Sequence, residues 1–251
     1  MAASNGRLII DPPASGSWNM AVDQALLETA ESKGQTTFRI YFWKPATLSL
    51  GYFQQYENRQ QHLASQSCPL VRRKTGGGAI LHDHEVTYSL CVPSSERWSS
   101  KNRELYDLVH QSLIDLLADY QIRAHLFGNP NQQSPANTSE DSFLCFERRA
   151  NGDLIVGDDK VGGSAQRRLR NSLLQHGSIL LQRSEFAPEL PGIIDLTDGA
   201  LNTEEFVENW VAKLTGDLDI ELHASALTQE ESLLAAEFQG FFESTEWNEN
   251  R

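Results

Sequence analysis

The segment RRKTGGGAILHD, residues 72–83, places three consecutive glycines between two short apolar stretches. Glycine adopts positive φ angles without steric cost, so a turn of this kind lets bare backbone approach a bound molecule closely. Its exposed N–H groups can bind an anion or a carbonyl oxygen. No Gly-Lys-Ser/Thr follows, which excludes a Walker phosphate-binding loop. By itself the segment is equally compatible with a tight hairpin turn.

Two related segments follow later in the chain. The first, GDDKVGGSAQRR (157–168), has a lysine just before small residues, where its amine can reach a pocket walled by backbone. The second, LQHGSILL (174–181), is an apolar strand interrupted by His-Gly, which indicates contact with a ligand. Taken singly, a surface lysine in a turn and a structurally hydrogen-bonded histidine are the simpler interpretations.

The apolar pattern around these motifs predicts short strands and longer helices. TFRIYFW (37–43) alternates as a half-buried strand does, and further strands are expected at ATLSLGYF, LVRR, AILH, VTYSLCV, DLIVG, KVGGSAQ and LLQHGSILL. Helices are predicted at about 17–32, with Ser17 as its N-cap, and at about 102–120. The polar stretch 129–142 is predicted to be a long loop.

Two more helices are expected towards the end of the chain. One begins near Asn202 and ends at Gly216, and Thr228 with Glu231 forms a capping-box sequence for the other. The expected fold class is therefore α+β (mixed α/β), with a mostly β centre flanked by helices.

Composition restricts the function. The 251 residues suffice for one large or two small domains. The net charge is −13, but residues 184–251 hold 16 acidic and 2 basic side chains, so the remainder is nearly neutral. Without a broad basic face, nucleic-acid binding is not expected. No apolar run is long enough for a membrane span, and MAASNGRLIIDPP lacks the features of a signal peptide, so a cytoplasmic location is expected.

The three cysteines, Cys68, Cys91 and Cys145, show no CxxC or His/Cys ligand spacing. A disulfide framework and a metal site are therefore not expected. Cys68 and Cys91 are interpreted as small buried residues with a structural role.

Together with MAVDQALL (20–27) and LSLGYFQ (48–54), the three motifs resemble the catalytic domain of the lipoate/biotin protein ligase superfamily. The pair Cys145-Phe146 lies 15 positions before Lys160. In this feature the chain most resembles the cysteine-dependent octanoyl-[acyl-carrier-protein]:protein N-octanoyltransferases. The resemblance implies one catalytic domain over 1–251, with a core at about 15–215 and an acidic helical end at about 200–251. It also implies a central mixed sheet related to class II aminoacyl-tRNA synthetases, and a tunnel for the acyl chain.

The resemblance assigns roles to residues. Cys145 would carry the acyl group as a thioester, and Lys160 would be the cation that favours the ionised thiol. Backbone amides near 76–78 or 163–164 would bind the developing oxyanion. Further positions expected to contact substrate are Arg72, Arg73, Gly76, Gly77, Gly78, His82, Gly163, Ser164, His176 and Gly177.

The partners implied are octanoyl-acyl carrier protein as donor and a lipoyl-carrier protein as acceptor. That acceptor would be either the glycine cleavage H protein or the acyltransferase subunit of a 2-oxoacid dehydrogenase. No cofactor or metal is implied for this chemistry.

Two alternatives remain at the sequence level. The chain could be an ATP-dependent lipoate-protein ligase acting through an acyl-adenylate, with ATP and Mg²⁺ as cofactors. Gly78 as the third glycine favours this reading, because the transferases often have arginine there, and Asp159 also departs from their pattern. It could also be a non-catalytic protein that binds lipoyl or biotinyl domains. An intact Cys145 and Lys160 weigh against that reading, because a binder needs no activated thiol.

Overall fold

The computed structural model describes residues 4–93, 101–128, 142–197, 199 and 201–250. Within these ranges the chain forms eleven β-strands and five α-helices. The strands are β1 (Ser4–Ile10), β2 (Thr36–Tyr41), β3 (Thr47–Leu50), β4 (Leu70–Arg72), β5 (Ile80–His82), β6 (Glu85–Pro93), β7 (Ala124–Leu126), β8 (Leu154–Val156), β9 (Asp159–Leu169), β10 (Ser172–Leu180) and β11 (Ile220–Ala224). The helices are α1 (Gly16–Lys33), α2 (Asn102–Asp119), α3 (Thr203–Leu218), α4 (Gln229–Glu243) and α5 (Thr245–Glu249).

Eight strands form one mixed sheet in the order β11-β1-β2-β6-β10-β9-β8-β7. β1 runs parallel to β11 and β2, whereas the pairs from β2 to β7 are antiparallel. A second sheet in the order β4-β3-β5 carries the two ends of the glycine-rich segment 72–83, with Arg72 in β4 and Ile80–His82 in β5. The predicted mixed α/β class, with a central mixed sheet flanked by helices, is confirmed.

The large sheet is covered on both faces. Phe38 and Ile40 of β2 pack in one apolar cluster with residues of α2 and α3, such as Trp210. Tyr41, on the opposite face of the same strand, packs with residues of α1 and α4. All six residues of β2 are buried, so the prediction of a half-buried strand was wrong. Its alternation reflects polar partners on the second face, where Arg39 pairs with the buried carboxylate of Asp23 and the partly exposed carboxylate of Asp11.

Helix ends differ in detail from the sequence prediction. α1 is capped by Ser15, whose hydroxyl accepts from the N–H of Trp18, and not by Ser17. α3 is capped by Asn202 as expected, but it continues past Gly216 to Leu218. The reason is packing: Leu214 and Leu218 are both buried on the same face of α3, and their burial outweighs the roughly 1 kcal/mol that an interior glycine costs.

The predicted capping box of α4 is present, with Thr228 and Glu231 each accepting the other's backbone N–H. Glu231 also forms a buried ion pair with Arg7 of β1, which ties α4 to the large sheet. Among the described residues, no helix has both the length and the apolar character that a membrane crossing requires. The predicted loop at 129–142 falls, except for Ser142, outside the described residues.

Three segments converge where the two sheets meet. β9 and β10 pair so that Ser164 lies opposite Gly177. The residue just before β5 pairs with the chain around Cys145: the N–H of Ala79 donates to the carbonyl of Phe143, and the N–H of Cys145 donates to the carbonyl of Ala79. This short ladder brings the glycine turn and Cys145 to the edge of β9, although the three are far apart in sequence.

Candidate active site

A cavity of about 230 Å³ lies between the two sheets. Ligand pockets for drug-sized molecules commonly exceed about 300 Å³, so this one suits a smaller ligand. Its wall combines apolar and aromatic side chains with a small set of polar groups. The residues that line it include Met20, Tyr41, Trp43, Arg73, Gly76, Gly77, Ile80, His82, Tyr106, Cys145, Phe146, Asp153, Lys160, Gly163, Ser164, His176, Gly177 and Ser178.

Cys145 begins a short 3₁₀ turn, Cys145–Glu147, on the wall of this cavity. It is partly exposed, whereas Cys68 and Cys91 are buried elsewhere. Burial raises the pKa of Cys68, and raises the pKa of Cys91 well above its ordinary value. Because the thiolate is the reactive form of cysteine, these two thiols are inert. Of the three, Cys145 is the one placed to react with a ligand.

Lys160 connects Cys145 to a buried carboxylate. Its Nζ lies 3.8 Å from Cys145 Sγ, 3.2 Å from the Cys145 carbonyl oxygen and 2.8 Å from Asp153 Oδ2. The side chains of Lys160 and Asp153 are 4% and 3% exposed, so water does little to screen either charge. The pairing of Cys145 with Lys160 that the sequence suggested is therefore present in the structure.

Glycines make room for this group. A Cβ on Gly163 would lie 2.8 Å from Lys160 Cε, and one on Gly78 would lie 3.0 Å from the Cys145 backbone. Gly77 has φ +98°, and a Cβ there would lie 3.7 Å from Cys145 Sγ. The first glycine motif thus allows close approach to Cys145, and the second allows close approach to Lys160.

The two neighbouring arginines serve different regions. The guanidinium of Arg73 donates to the carbonyls of Gly76 and Gly78, and so shapes the glycine turn from inside. Burial lowers the pKa of Arg73 to about 10. Arg72 is not among the residues that line the cavity. Its guanidinium donates to the main-chain carbonyls of Gly51, Gln54, Trp247 and Asn248, so the structure places it in the support of the fold instead of a substrate contact.

His176 lines the cavity and orders the glycine segment. Its Nε2 lies 2.7 Å from Thr75 Oγ1, and its Nδ1 lies 3.2 Å from Asp23 Oδ2. Burial opposes the charge on Asp23, yet the hydrogen bond from His176 and the charge of Arg39 outweigh it and lower the pKa of Asp23. An ionised Asp23 therefore orients the histidine ring, which in turn holds Thr75.

His82 also lines the cavity, on its aromatic side. Its ring stacks on Trp43 at 3.7 Å, and its Nδ1 lies 2.7 Å from Glu85 Oε1. Burial lowers the pKa of His82 although Glu85 acts in the opposite direction. Ser178 donates to the same oxygen of Glu85, so this wall is fixed by a connected set of hydrogen bonds.

Sequence reasoning missed several wall residues, chiefly Asp153 and Trp43. Asp153 stands just before β8, and the β8–β9 hairpin brings it beside Lys160. A lone Asp-Leu pair after a glycine is too common to indicate this role. Trp43 was included in a predicted strand, but that pattern does not show on which side of the chain a ligand lies.

Comparison with known proteins agrees with this geometry. Residues 15–188 match the family model of the lipoyl protein ligase A/B catalytic domain. The protein called octanoyltransferase LipM in Brevibacillus brevis is 32% identical, over 98% of this chain and 99% of that protein. The protein of the same name in Geobacillus kaustophilus is 33% identical, over 96% of this chain and 95% of that protein.

Solved structures share the fold at lower identity. A putative lipoate protein ligase from T. acidophilum superposes with a TM-score of 0.79 at 20% identity, covering 98% of this chain and 99% of that one. A lipoate-protein ligase A bound with ATP superposes with a TM-score of 0.78 at 20% identity, covering 98% of both chains. The resemblance expected from the sequence is confirmed. The chain belongs to the lipoyl protein ligase A/B catalytic-domain family, and its full-length relatives include octanoyltransferases.

Proposed function

We propose that this chain is an octanoyltransferase that carries the octanoyl group as a thioester on Cys145 and passes it to a lysine of a lipoyl-carrier protein. One observation above all supports the proposal. A partly exposed thiol lies 3.8 Å from a buried ammonium group on the wall of a small cavity. Lys160 favours the thiolate by its charge, and the thiolate is the nucleophile.

The first half-reaction is a thioester exchange. Cys145 Sγ attacks the carbonyl carbon of octanoyl-acyl carrier protein, and the bond from that carbon to the carrier's sulfur breaks. The carrier leaves as a thiol after taking up a proton, and the enzyme keeps the octanoyl group. One thioester replaces another, so the step is nearly neutral in free energy and needs no ATP.

The second half-reaction forms an amide. The ε-amine of the acceptor lysine attacks the thioester carbon, and the bond to Cys145 Sγ breaks. The proton lost by the amine neutralises the departing thiolate. An amide is more stable than a thioester, so this step is downhill. The two steps together are a ping-pong cycle with a covalent intermediate.

Asp153 balances the charge of Lys160 through this cycle. When Cys145 is acylated its negative charge disappears, and a buried Lys160 alone would be strongly destabilised. The ion pair at 2.8 Å keeps the lysine compensated in both forms of the enzyme. The same site therefore accepts the free thiolate and the neutral thioester.

Intact mass after incubation with octanoyl-acyl carrier protein, without ATP, tests this function. We expect an octanoyl adduct on the protein that hydroxylamine removes, and we expect none on Cys145→Ala. Cys91→Ala is the matched control, since that thiol is fully buried outside the cavity, and it should still form the adduct.

The other outcomes assign the alternatives. Transfer that requires ATP and free octanoic or lipoic acid, with no thioester on the enzyme, would identify a ligase. Tight binding of a lipoyl domain with neither reaction would identify a non-catalytic binder. Either result would overturn the proposed transferase mechanism.

A further inference from the structure

A series of hydrogen bonds runs beside the cavity. Which atom donates in each bond is determined first at His110 of α2. His110 Nδ1 lies 2.6 Å from the carbonyl oxygen of Gly152, and Nε2 lies 2.6 Å from Ser164 Oγ. A carbonyl oxygen only accepts, so Nδ1 carries the proton and Nε2 of the neutral ring is an acceptor. The hydroxyl of Ser164 therefore donates to His110.

The neutral state of His110 is enforced by its position. Burial lowers the pKa of His110 to about 4, and the hydrogen bond to Gly152 and the charge of Asp153 offset this only in part. At neutral pH the ring is uncharged and Nε2 keeps its lone pair. Protonation would make Nε2 a donor and would turn the proton of Ser164 away from it.

At its other end, the series of hydrogen bonds starts from the main-chain carbonyl of Asn102. Gln166 Nε2 donates to that oxygen at 2.8 Å and to Gln175 Oε1 at 2.7 Å. Gln175 Nε2 then donates to the hydroxyl oxygen of Tyr88 at 2.8 Å. Burial raises the pKa of Tyr88 to about 12, so the phenol keeps its proton and donates it to Ser164 Oγ at 2.6 Å.

Both ends therefore determine what Ser164 presents to the cavity. Its hydroxyl donates a hydrogen bond to His110 and accepts one from Tyr88, which leaves one lone pair on Oγ. Gly177 packs closely against it, because a Cβ there would lie 2.2 Å from Ser164 Oγ. Ser164 lines the same cavity as Cys145, so the remaining group it offers to a ligand is an acceptor and not a donor.

We propose that Ser164 Oγ receives an N–H of the acceptor protein's lysine ε-amine and points the nitrogen lone pair at the octanoyl-Cys145 carbonyl carbon. The inference rests on the proposed function, which supplies the acyl-enzyme. A neutral amine has two N–H groups, so it can donate to Ser164 while its lone pair attacks. The new bond is C–N, the broken bond is C–S, and the surplus proton on nitrogen passes to the departing sulfur.

Ser164 binds the amine but does not keep its proton. His110, to which a proton relay would lead, is a weak base in this buried position. His110 and Tyr88 are therefore positioning residues, which fix the rotation of the Ser164 hydroxyl. The Ser164 hydroxyl has no proton left to donate, so it does not stabilise an oxyanion. Its side chain therefore acts in the aminolysis step, by accepting a hydrogen bond from the amine.

Single-turnover kinetics separate the two half-reactions. The wild type and Ser164→Ala are loaded with octanoyl-acyl carrier protein, and the octanoyl-enzyme is then mixed with purified apo glycine cleavage H protein. We expect loading to change by less than about twofold. Aminolysis should slow by about 10- to 100-fold, the effect of losing one hydrogen bond to an amine.

Ser112→Ala is the matched control. Ser112 is a buried serine of α2, accepts a hydrogen bond from Trp210 and is not among the cavity residues. Both half-reactions should keep their rates in this variant. His110→Ala frees the Ser164 hydroxyl to rotate, so the KM for the acceptor should rise by roughly three- to tenfold with loading unchanged.

The outcomes distinguish this inference from the proposed function. A wild type that never forms an octanoyl adduct would contradict the function itself. If the adduct forms and Ser164→Ala slows loading as much as aminolysis, Ser164 serves the donor or the fold, and the inference is overturned. Unchanged aminolysis in Ser164→Ala overturns it as well.

Discussion

Two buried ion pairs in this chain have similar burial but different surroundings. Arg7 and Glu231 are 8% and 1% exposed, and Lys160 and Asp153 are 4% and 3% exposed. Glu231 receives two bonds from the Arg7 guanidinium, at 2.6 and 3.0 Å, and a third from the backbone N–H of Thr228. Such a bidentate pair joins β1 to α4 and leaves the two charged groups little freedom to move.

The pair beside the cavity is simpler and is directed at a third group. Lys160 bonds to Asp153 through a single contact and also lies near Cys145 Sγ and its carbonyl. A lysine ammonium is a compact charge without the planar fork of arginine, so it can serve a carboxylate and a thiol together. The comparison indicates that one pair stabilises the fold, whereas the other has the geometry to act in the reaction that we propose.

Glu231→Gln should produce the largest change in stability. A glutamine preserves the capping-box geometry but leaves the buried Arg7 charge unpaired. We expect the free energy of unfolding to fall by about 3–5 kcal/mol, as for other broken buried pairs. Urea unfolding followed by circular dichroism measures it. The octanoyl-loading rate of the folded variant should remain within about twofold of wild type, and a large loss of that rate would break the distinction between the two pairs.

The same pair should make the free energy of unfolding depend on pH in acid. Burial acts to raise the pKa of Glu231, but the bonds from Arg7 and Thr228 outweigh it and lower the pKa from 4.5 to about 2. A lowered carboxylate pKa adds stability above the unfolded value, and this is lost as pH falls from about 4.5 to about 2. The wild type should lose more stability than Glu231→Gln across this window in urea titrations. Parallel curves would show that the carboxylate carries no such contribution.

Lys160→Met should have the largest effect on reaction rate. Removing the ammonium group leaves Cys145 Sγ without the positive charge that lies 3.8 Å away, so octanoyl loading should fall by about 10²- to 10³-fold. Quenched-flow mass spectrometry of the adduct measures the rate. Lys213→Met, which changes a partly exposed lysine paired with Asp119, is the control and should load normally. Retention of wild-type loading by Lys160→Met would contradict the role given to this ion pair.

Gly163→Ala tests the same pair by displacement. The new methyl group would lie 2.8 Å from Lys160 Cε, at the flexible end of that side chain, so the lysine moves at little cost to the fold. We expect loading to slow by roughly 10- to 100-fold, as misplaced catalytic groups do, with a melting temperature near that of wild type. A normal rate would show that the position of Lys160 tolerates a shift.

Gly216→Ala should have the smallest effect. It makes the same glycine-to-alanine substitution in α3. A Cβ at Gly216, inside α3, meets no atom within 4 Å. Alanine should therefore raise the free energy of unfolding by up to about 1 kcal/mol and leave loading unaltered. Thermal unfolding checks this, and a destabilised variant would mean that α3 requires the glycine.

Local patterns predicted much of this molecule. The capping box of α4, the apolar stripe of α2 and the strands around the glycine motifs are encoded by residues close in sequence. The resemblance in the motifs also predicted the pairing of Cys145 with Lys160, because a shared motif implies a shared geometry.

Long-range arrangements were not predictable in the same way. The burial of β2 on both faces depends on helices from distant parts of the chain. The placement of Asp153 beside Lys160 follows from the register of one hairpin, which includes a bulge at Leu154–Ile155. The function of Arg72 was assigned wrongly because the motif does not show which of two adjacent arginines faces the cavity.

The anchoring of Arg72 bears on how this protein is made. Its guanidinium and backbone N–H bond to Asn248, which lies 176 positions later in the chain. A ribosome must therefore synthesise the chain at least as far as residue 248 before β4 acquires its native surroundings. A nascent chain stalled before residue 248 therefore lacks these contacts to β4, even though Cys145 and Lys160 have already been synthesised.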